Sequence, residues 1–352
     1  MELQNHKNID LVSVVILNYN TPQLTYKSVR KIEKSFEDDS PYVIVIVDNG
    51  SNKNSFIQLC NLLKDYTVVF DEQRFIANKE LMQRKFIIRS KKNIGFAAGN
   101  NIGIKFSLKL FNAKYILLMN SDVFVEKKGT VESLIIEMEK YGEEIVAAMP
   151  LVWNKFRKPS NPKYQMQIRR VENYWDALIF NSPVLKRLFR HRFNNYIYSK
   201  DMPFSKVIKA RVLYGAFILL RSDFLLKIGF LDEGTFFYYE ETIIGRKMQE
   251  MNVYGILDPK VCVTHLQGAS SKGISKRYNS FLFFKKTESQ IYYIKKYCHS
   301  SNKKIFLLFI IRFIESMIYS LFFERKISYL ANLIKEFKGL YLNIFNSDEK
   351  DK

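Results

Sequence analysis

The chain has 352 residues, 47% hydrophobic and 26% charged, with 14 glycines and 8 prolines. That length suits one large α/β domain with an appendage, or two small domains, and the composition excludes a disordered or low-complexity chain. A net charge of +20 favours anionic partners such as phosphorylated small molecules, membrane headgroups or nucleic acid, although the abundance of Lys, Asn and Ile also fits a biased base composition. Three widely spaced cysteines, Cys60, Cys262 and Cys298, form neither a disulfide framework nor a zinc pattern. Met1–Asp10 is polar and charged, so no signal peptide and a reducing, cytoplasmic location are expected.

The first 150 residues read as alternating strands and helices. Leu11–Leu17 is an apolar, β-branched run. Thr21-Pro22 then reads as an N-cap followed by Pro at the first helical position, with Leu24, Ser28, Ile32 and Phe36 at helical spacing. Further buried strands are expected at Tyr42–Val47, Phe86–Ser90, Tyr115–Met119 and Ile145–Met149, with a helix marked by Val131, Leu134, Ile135 and Met138. Continuous apolar strands between amphipathic helices imply a mostly parallel sheet covered on both faces. In such sheets ligands bind beyond the carboxyl ends of the strands, where the polar clusters of this chain lie.

Residues 151–210 mix aromatic and basic residues without clear period and read as loops and short helices inserted between sheet elements. Regular structure resumes at Val212–Leu220, with helices near Ser222–Ile228 and from about Glu240 to Met251, and short strands at Tyr254–Leu257 and Val261–Thr264. Beyond Ser271 the chain is helical and basic. Ile305–Phe323 is largely apolar, but Arg312 and Glu315 fall in its middle, and a charge there costs about 2.5–3.5 kcal/mol on insertion scales. Because Arg312, Glu315, Ser316 and Tyr319 share a face, the segment reads as an amphipathic helix on a membrane or on the domain. Ile327, Leu330, Ile334, Phe337, Tyr341 and Ile344 form a second stripe.

Several residues could carry chemistry, each with a plainer alternative. Asp48 ends a strand before Asn49-Gly50-Ser51; it is a turn residue or an acceptor for a ligand N–H. Asn93–Gly103 is a run of small residues opening a helix. It serves close helix–sheet packing or a phosphate approach, and it is neither a P-loop nor a dinucleotide fingerprint. Asp122, emerging after Asn120-Ser121, is a turn aspartate or holds a divalent cation together with a diphosphate. Glu240 and Glu241 follow four aromatics. They are a solvated helix start, or carboxylates whose affinity for protons is raised by desolvation, as suits a general base. His265, after Val261–Thr264, is structural or a metal ligand.

Taken in order, these pieces resemble glycosyltransferase family 2, in particular its rhamnosyltransferase-like and cell-surface polysaccharide members. The resemblance runs from about Val12 to Ser270 and rests on Val-Val-Ile-Leu-Asn-Tyr-Asn at 14–20, Val-Asp-Asn-Gly-Ser at 47–51 and Asn-Ile-Gly-Phe-Ala-Ala-Gly-Asn-Asn at 93–101. It continues through Met-Asn-Ser-Asp at 119–122, Leu-Asp-Glu at 231–233, Tyr-Glu-Glu at 239–241 and His265. It implies a GT-A fold over about 1–270, with 151–210 as an acceptor-side insertion and 271–352 as a basic helical extension. It implies that Asp48 contacts the nucleobase beside Asn18, Asn20 and Thr21, and that Asn93, Gly95, Phe96 and Asn100 shape the nucleotide-sugar pocket with Asn120 and Ser121. Asp122, with His265, would hold Mg²⁺ or Mn²⁺, and Glu241, next to Glu240, would be the catalytic base. Two positions depart from the family pattern: Asn120 replaces the first Asp of the metal motif, and Ile243 stands where a further Asp is usual.

The implied reaction is one inverting displacement. A metal ion neutralises the leaving diphosphate of a UDP- or dTDP-sugar while the base takes a proton from a hydroxyl of a glycan or lipid-linked glycan. Adjacent glutamates cannot flank a glycosidic bond at the separations that hydrolases use. Peripheral membrane contact at the inner face of the plasma membrane is expected from the basic C-terminal helices. No nucleic-acid module is recognisable, so no nucleic-acid partner is expected. The alternative is an inactive, membrane-associated scaffold of the same fold.

Overall fold

The structure is a computed structural model that describes residues 10–70, 83–154, 167–197, 206–266, 280–319, 321 and 327–345. In chain order its elements are β1 (Val12–Asn18), α1 (Pro22–Ser35), β2 (Tyr42–Asp48), α2 (Lys53–Leu62), β3 (Thr67–Val69), β4 (Lys85–Arg89), α3 (Phe96–Phe111), β5 (Tyr115–Asn120) and β6 (Val123–Phe124). There follow α4 (Thr130–Glu139), β7 (Ile145–Asn154), β8 (Ile168–Arg169), three short helices α5 (Tyr174–Phe180), α6 (Pro183–Leu188) and α7 (Arg190–Tyr196), β9 (Ile208–Ala210), β10 (Val212–Leu213) and β11 (Phe217–Arg221). The chain continues with α8 (Ser222–Lys227), α9 (Glu240–Glu250), β12 (Tyr254–His265), α10 (Ser280–Lys296), α11 (Asn302–Tyr319) and α12 (Ile327–Phe345).

The main sheet has the order β3-β4-β2-β1-β5-β11-β7-β12-β6, with β9 on β12. From β3 to β5 every pairing is parallel. β11 enters antiparallel between β5 and β7, β12 runs parallel to β7, and β6 returns antiparallel on β12. The sheet is therefore mostly parallel with an antiparallel insertion, the GT-A arrangement, and the helical extension is present.

β1 shows why its sequence is apolar throughout. Alternate side chains leave a strand on opposite faces, and both faces of this one are covered. Ser13 meets Ser107 of α3 (Oγ–Oγ 2.6 Å), while Asn18, on the opposite face, accepts from Thr25 of α1. α3 lies unusually close because it presents glycine to the sheet; a Cβ on Gly103 would stand 2.5 Å from a Val15 methyl.

Parallel register brings the polar strand ends to one edge. Asn18 pairs with Asp48, Asp48 with Arg89, and Leu17 with Asn120. Several local expectations need correction. Thr67–Val69 is an additional edge strand. Val212–Leu220 is two strands broken at Tyr214-Gly215. The two short strands at 254–264 are one strand, β12, with a register shift between Asp258 and Cys262. Thr21 does not cap α1 with its side chain; its hydroxyl turns to Asn18 instead. In the extension, Leu333, Phe337, Leu340 and Ile344 of α12 face inward, whereas Ile334 and Tyr341 are exposed.

Candidate active site

The loop after β1 and the turn after β2 are laced together. The Asp48 carboxylate is fully buried. It accepts from Asn18 Nδ2 at 2.7 Å and from the Ser51 backbone N–H at 3.3 Å. Asn18 Oδ1 in turn takes the hydroxyls of Thr25 (2.7 Å) and Thr21 (3.3 Å), and Ser51 Oγ accepts the Asn20 backbone N–H at 2.9 Å. Asp48 thus organises the loop that carries Asn18, Asn20 and Thr21, using two of its roughly four acceptor positions.

The small-residue loop is held from the same place. Asn49 donates to Asn93 Oδ1 (3.1 Å) and to the Gly95 carbonyl (3.0 Å), and accepts from the Ile94 N–H (3.1 Å). Gly95 sits at φ +93°, a region unfavourable to side chains, and a Cβ there would stand 2.7 Å from the Phe236 carbonyl oxygen. The Phe96 N–H donates to that same oxygen at 2.9 Å, so the loop touches the aromatic segment before the two glutamates. Asn100 is buried and donates its amide to the Phe96 carbonyl of its own helix at 2.9 Å. The neighbouring Asn101 ties Leu231 and Glu233 to α3.

At the end of β5, Ser121 lies 3.4 Å from Thr21 (Oγ–Oγ1), and Asp122 is buried. The β6–β12 pairing sets His265 beside it, with Nε2 3.0 Å from Asp122 Oδ1. Tyr214 Oη lies 3.2 Å from Nδ1 on the other side of the ring. If Nδ1 donates to Tyr214, Nε2 presents its lone pair, the tautomer a metal ligand needs. Donors at adjacent vertices of an octahedral ion with bonds of about 2.1 Å stand about 3.0 Å apart, so the Asp122–His265 spacing fits. Among the described residues no group of three or more His, Cys, Asp or Glu is placed to hold a metal. A cation here would therefore be completed by ligand oxygens and water, as is usual for Mg²⁺ with diphosphates.

The glutamates open α9 and face different surroundings. Tyr238 and Tyr239 just before them have φ values of 73° and 75°, conformations that cost roughly 1–3 kcal/mol each and persist only when the surroundings fix them. Here Phe96 holds the Phe236 carbonyl, Ser289 Oγ the Phe237 carbonyl at 2.9 Å, and Glu172 the Tyr239 hydroxyl at 3.1 Å. Glu241 has a counter-charge, with Arg169 Nη2 3.1 Å from its Oε1. The approach is an ion pair rather than an aligned hydrogen bond and leaves Arg169 Nε and Nη2 as buried donors without an acceptor. Glu240 is buried, with Oε1 lacking any partner. Burial, with a smaller contribution from the Glu241 charge, pushes its carboxyl up to about 8.

Two residues of this site were missed from sequence. Arg169 sits in the segment without period and carries no motif. Tyr214 breaks an apolar run at the turn between β10 and β11; a Tyr-Gly pair there was the available signal. Burial, then the charges of Glu241 and Asp122, push the Tyr214 hydroxyl well above its usual range. Tyr214 therefore stands within electrostatic reach of both carboxylates.

Comparisons with known proteins bear on the family and the fold. The model of "Glycosyl transferase family 2" matches residues 13–229. The low-salt glycan biosynthesis hexosyltransferase Agl10 of Haloferax volcanii is 22% identical over 318 residues, 89% of this chain and 94% of its own length. A mannosyltransferase from Pyrobaculum calidifontis, solved with GDP-mannose and Mn²⁺, superposes with a TM-score of 0.52 at 9% identity, covering 90% of this chain and 76% of that one. GalNAc-T7, solved with UDP, GalNAc and Mn²⁺, gives 0.52 at 15% identity over all of this chain and 61% of its own.

Between about pH 4.5 and 8 the folded chain keeps a proton on Glu240 that the unfolded chain has shed. This group's contribution to stability is therefore complete at low pH and lost as pH rises through about 8. Urea unfolding should show Glu240→Gln gaining about 2 kcal/mol or more relative to the parent between pH 5 and pH 9. Parallel pH profiles would contradict the protonated, buried state.

Proposed function

Since the chain belongs to glycosyltransferase family 2, we propose that it transfers a hexosyl or rhamnosyl group from a UDP- or dTDP-sugar to a hydroxyl of a glycan or lipid-linked glycan, with inversion, in bacterial cell-surface polysaccharide synthesis. The observation that supports this reading is the position of Tyr214, which is bonded to His265 beside Asp122 and lies within electrostatic reach of Glu241. On this reading a cation site at Asp122 and His265 and a carboxylate base at Glu241 share one edge of the sheet.

The roles follow from the surroundings. Asp48, Asn18, Asn20 and Thr21 shape the seat of a pyrimidine base, and the long 3.3 Å bond from Ser51 to Asp48 is the contact with which a base N–H would compete. Asn93, Gly95 and Phe96 form the adjoining wall of the donor pocket. Asp122 and His265 would hold Mg²⁺ or Mn²⁺, which would supply positive charge to neutralise the leaving diphosphate. Glu241 takes the acceptor proton, and Arg169 fixes its carboxylate. Glu240, buried and without a counter-ion, is the weaker candidate for the base.

The reading includes peripheral attachment to the cytoplasmic face of a membrane. No helix among the described residues is long and apolar enough to span one. α11 instead turns its polar stripe inward. Arg312 and Ser316 are buried, while Leu307, Ile314 and Ile318 are about half exposed. An apolar outer face on a chain of charge +20 suits an anionic bilayer surface. The chain should co-sediment with anionic vesicles, and Ile314→Glu with Ile318→Glu should abolish this; equal recovery with and without vesicles would remove the membrane from the account.

For the chemistry, calorimetric titration should show UDP or dTDP binding that requires Mn²⁺ and disappears in Asp122→Ala. Glu241→Gln should bind the nucleotide as the parent does while transfer falls about 10²–10⁴-fold. Binding of neither nucleotide, with or without metal, would point to an inactive scaffold.

A further inference from the structure

The stretch between β8 and β9 carries a surface that the site does not use. One set of its apolar side chains serves the fold. Leu185 of α6 and Phe193 of α7 pack against Phe180 and Tyr196, with the Phe180 and Phe193 rings 5.4 Å apart. A second set is left to solvent. Val184 and Leu188 stand one helical turn apart on α6 and are 68% and 72% exposed, and Phe189 in the bend before α7 is about half exposed. Arg192 of α7 reaches Asp176 at 2.7 Å and holds α7 against the start of α5, where Trp175 is half exposed too. Single exposed apolar residues need no explanation, but a group of them in one short stretch marks a contact surface.

The same stretch is basic in its own way. Ser182–Tyr196 contains Lys186, Arg187, Arg190, His191 and Arg192 and no Asp or Glu. Three of the chain's 16 arginines fall within residues 187–192, so a lysine-rich composition does not account for the charge. Several surface cations elsewhere are matched at short range, as in Lys31–Glu126, Lys114–Asp10 and Lys209–Glu144. Here Arg192 takes Asp176, and Lys186 lies over the Phe193 ring at 3.8 Å. Arg187 and Arg190 are exposed and have no ion-pair partner among the described residues.

Exposed apolar residues interleaved with unpaired guanidinium groups fit one kind of partner. Guanidinium groups bind phosphates through paired hydrogen bonds, and large apolar side chains enter the boundary between headgroups and acyl chains, where Trp is favoured. Nucleic acid offers the phosphates but no use for Val184 and Leu188. We propose that α6 and α7 dock on an anionic bilayer, with Val184, Leu188 and Phe189 inserted among the headgroups and Arg187 and Arg190 on lipid phosphates. This deepens the membrane reading given above for α11 by adding a second, separate contact. The stretch also reaches the candidate base. Arg169 just before it pairs with Glu241, and Glu172 accepts the hydroxyls of both Tyr196, at the end of α7, and Tyr239. Docking here ties the Glu241 edge to the bound surface.

The test is co-sedimentation of the full chain with vesicles of phosphatidylcholine, alone or mixed equally with phosphatidylglycerol. The parent should bind the mixed vesicles and not the neutral ones. Leu188→Glu with Phe189→Glu should weaken binding at least tenfold. Arg187→Gln with Arg190→Gln should do the same, since each cation near such a surface contributes about fivefold, and should also flatten the salt dependence. All four side chains face solvent, so the thermal midpoints of both variants should match the parent's. Variants that bind as the parent does, or a parent that binds both kinds of vesicle equally, would overturn the surface. If only Ile314→Glu with Ile318→Glu loses binding, the second contact fails and the reading for α11 stands. If the parent binds no vesicle, both fail. Binding of polyglutamate in place of vesicles, lost in Arg187→Gln with Arg190→Gln, would assign the surface to an acidic protein and overturn the bilayer.

Discussion

The contact on which the site depends is the Phe236 carbonyl seated against Gly95. A side chain at Gly95 would meet that oxygen at 2.7 Å, and the Phe96 N–H closes the contact with a hydrogen bond. Through this junction the loop before α3 and the segment leading to Glu240 and Glu241 become one rigid unit. Asn49 ties the loop back to the end of β2, and Asn101 ties α3 to Leu231 and Glu233. The strained pair Tyr238 and Tyr239 is tolerable because its neighbours are fixed from several directions. Strain sustained in this way is a common property of sites whose groups must not move.

The C-terminal extension belongs to this scaffold. Asp232 accepts from Tyr292 and Lys296 at 2.8 Å and from Tyr297; its carboxyl is lowered to about 2 because these donors together outweigh its burial. Gly234 lies so close to Tyr292 that a Cβ would overlap the ring. Together with Ser289 on the Phe237 carbonyl, α10 therefore clamps the whole stretch from Leu231 to Glu240 and Glu241. The extension both positions these glutamates and, through α11, presents the apolar face.

Much of this was readable from sequence because the code involved is local. Buried parallel strands are continuous apolar runs, so β1, β2, β5 and β7 stood out, and the polar residues at their ends had to face one edge. Asp122 and His265 were singled out by their positions after strands, although only the β6–β12 pairing shows that they touch. The rest depends on tertiary contacts. Arg169 lies in a two-residue strand whose partner, β10, is more than forty residues away. The bulge in β12 follows the Asp258-Pro259 step, where proline cannot donate to a ladder. In α11 periodicity marked the polar stripe but not its direction. Gln290 and the carbonyls of Ala177 and Leu178 satisfy Arg312 from inside, which turns the apolar residues outward.

Charge placement follows the same logic. The Asp122 carboxylate is buried and that of Glu241 partly so, and electrostatic interactions are stronger there than in water. Each is matched by a separate partner, His265 or Arg169, and Tyr214 stands near both. We propose that a divalent cation on Asp122 and His265 anchors the donor at this edge. Anomalous diffraction from crystals grown with Mn²⁺ and UDP or dTDP tests it most directly. A manganese peak is expected about 2.1–2.3 Å from an Asp122 oxygen and from His265 Nε2, with the diphosphate on the same ion. Nucleotide bound with manganese elsewhere, or with Asp122 and His265 still bonded to each other and to no metal, would contradict it.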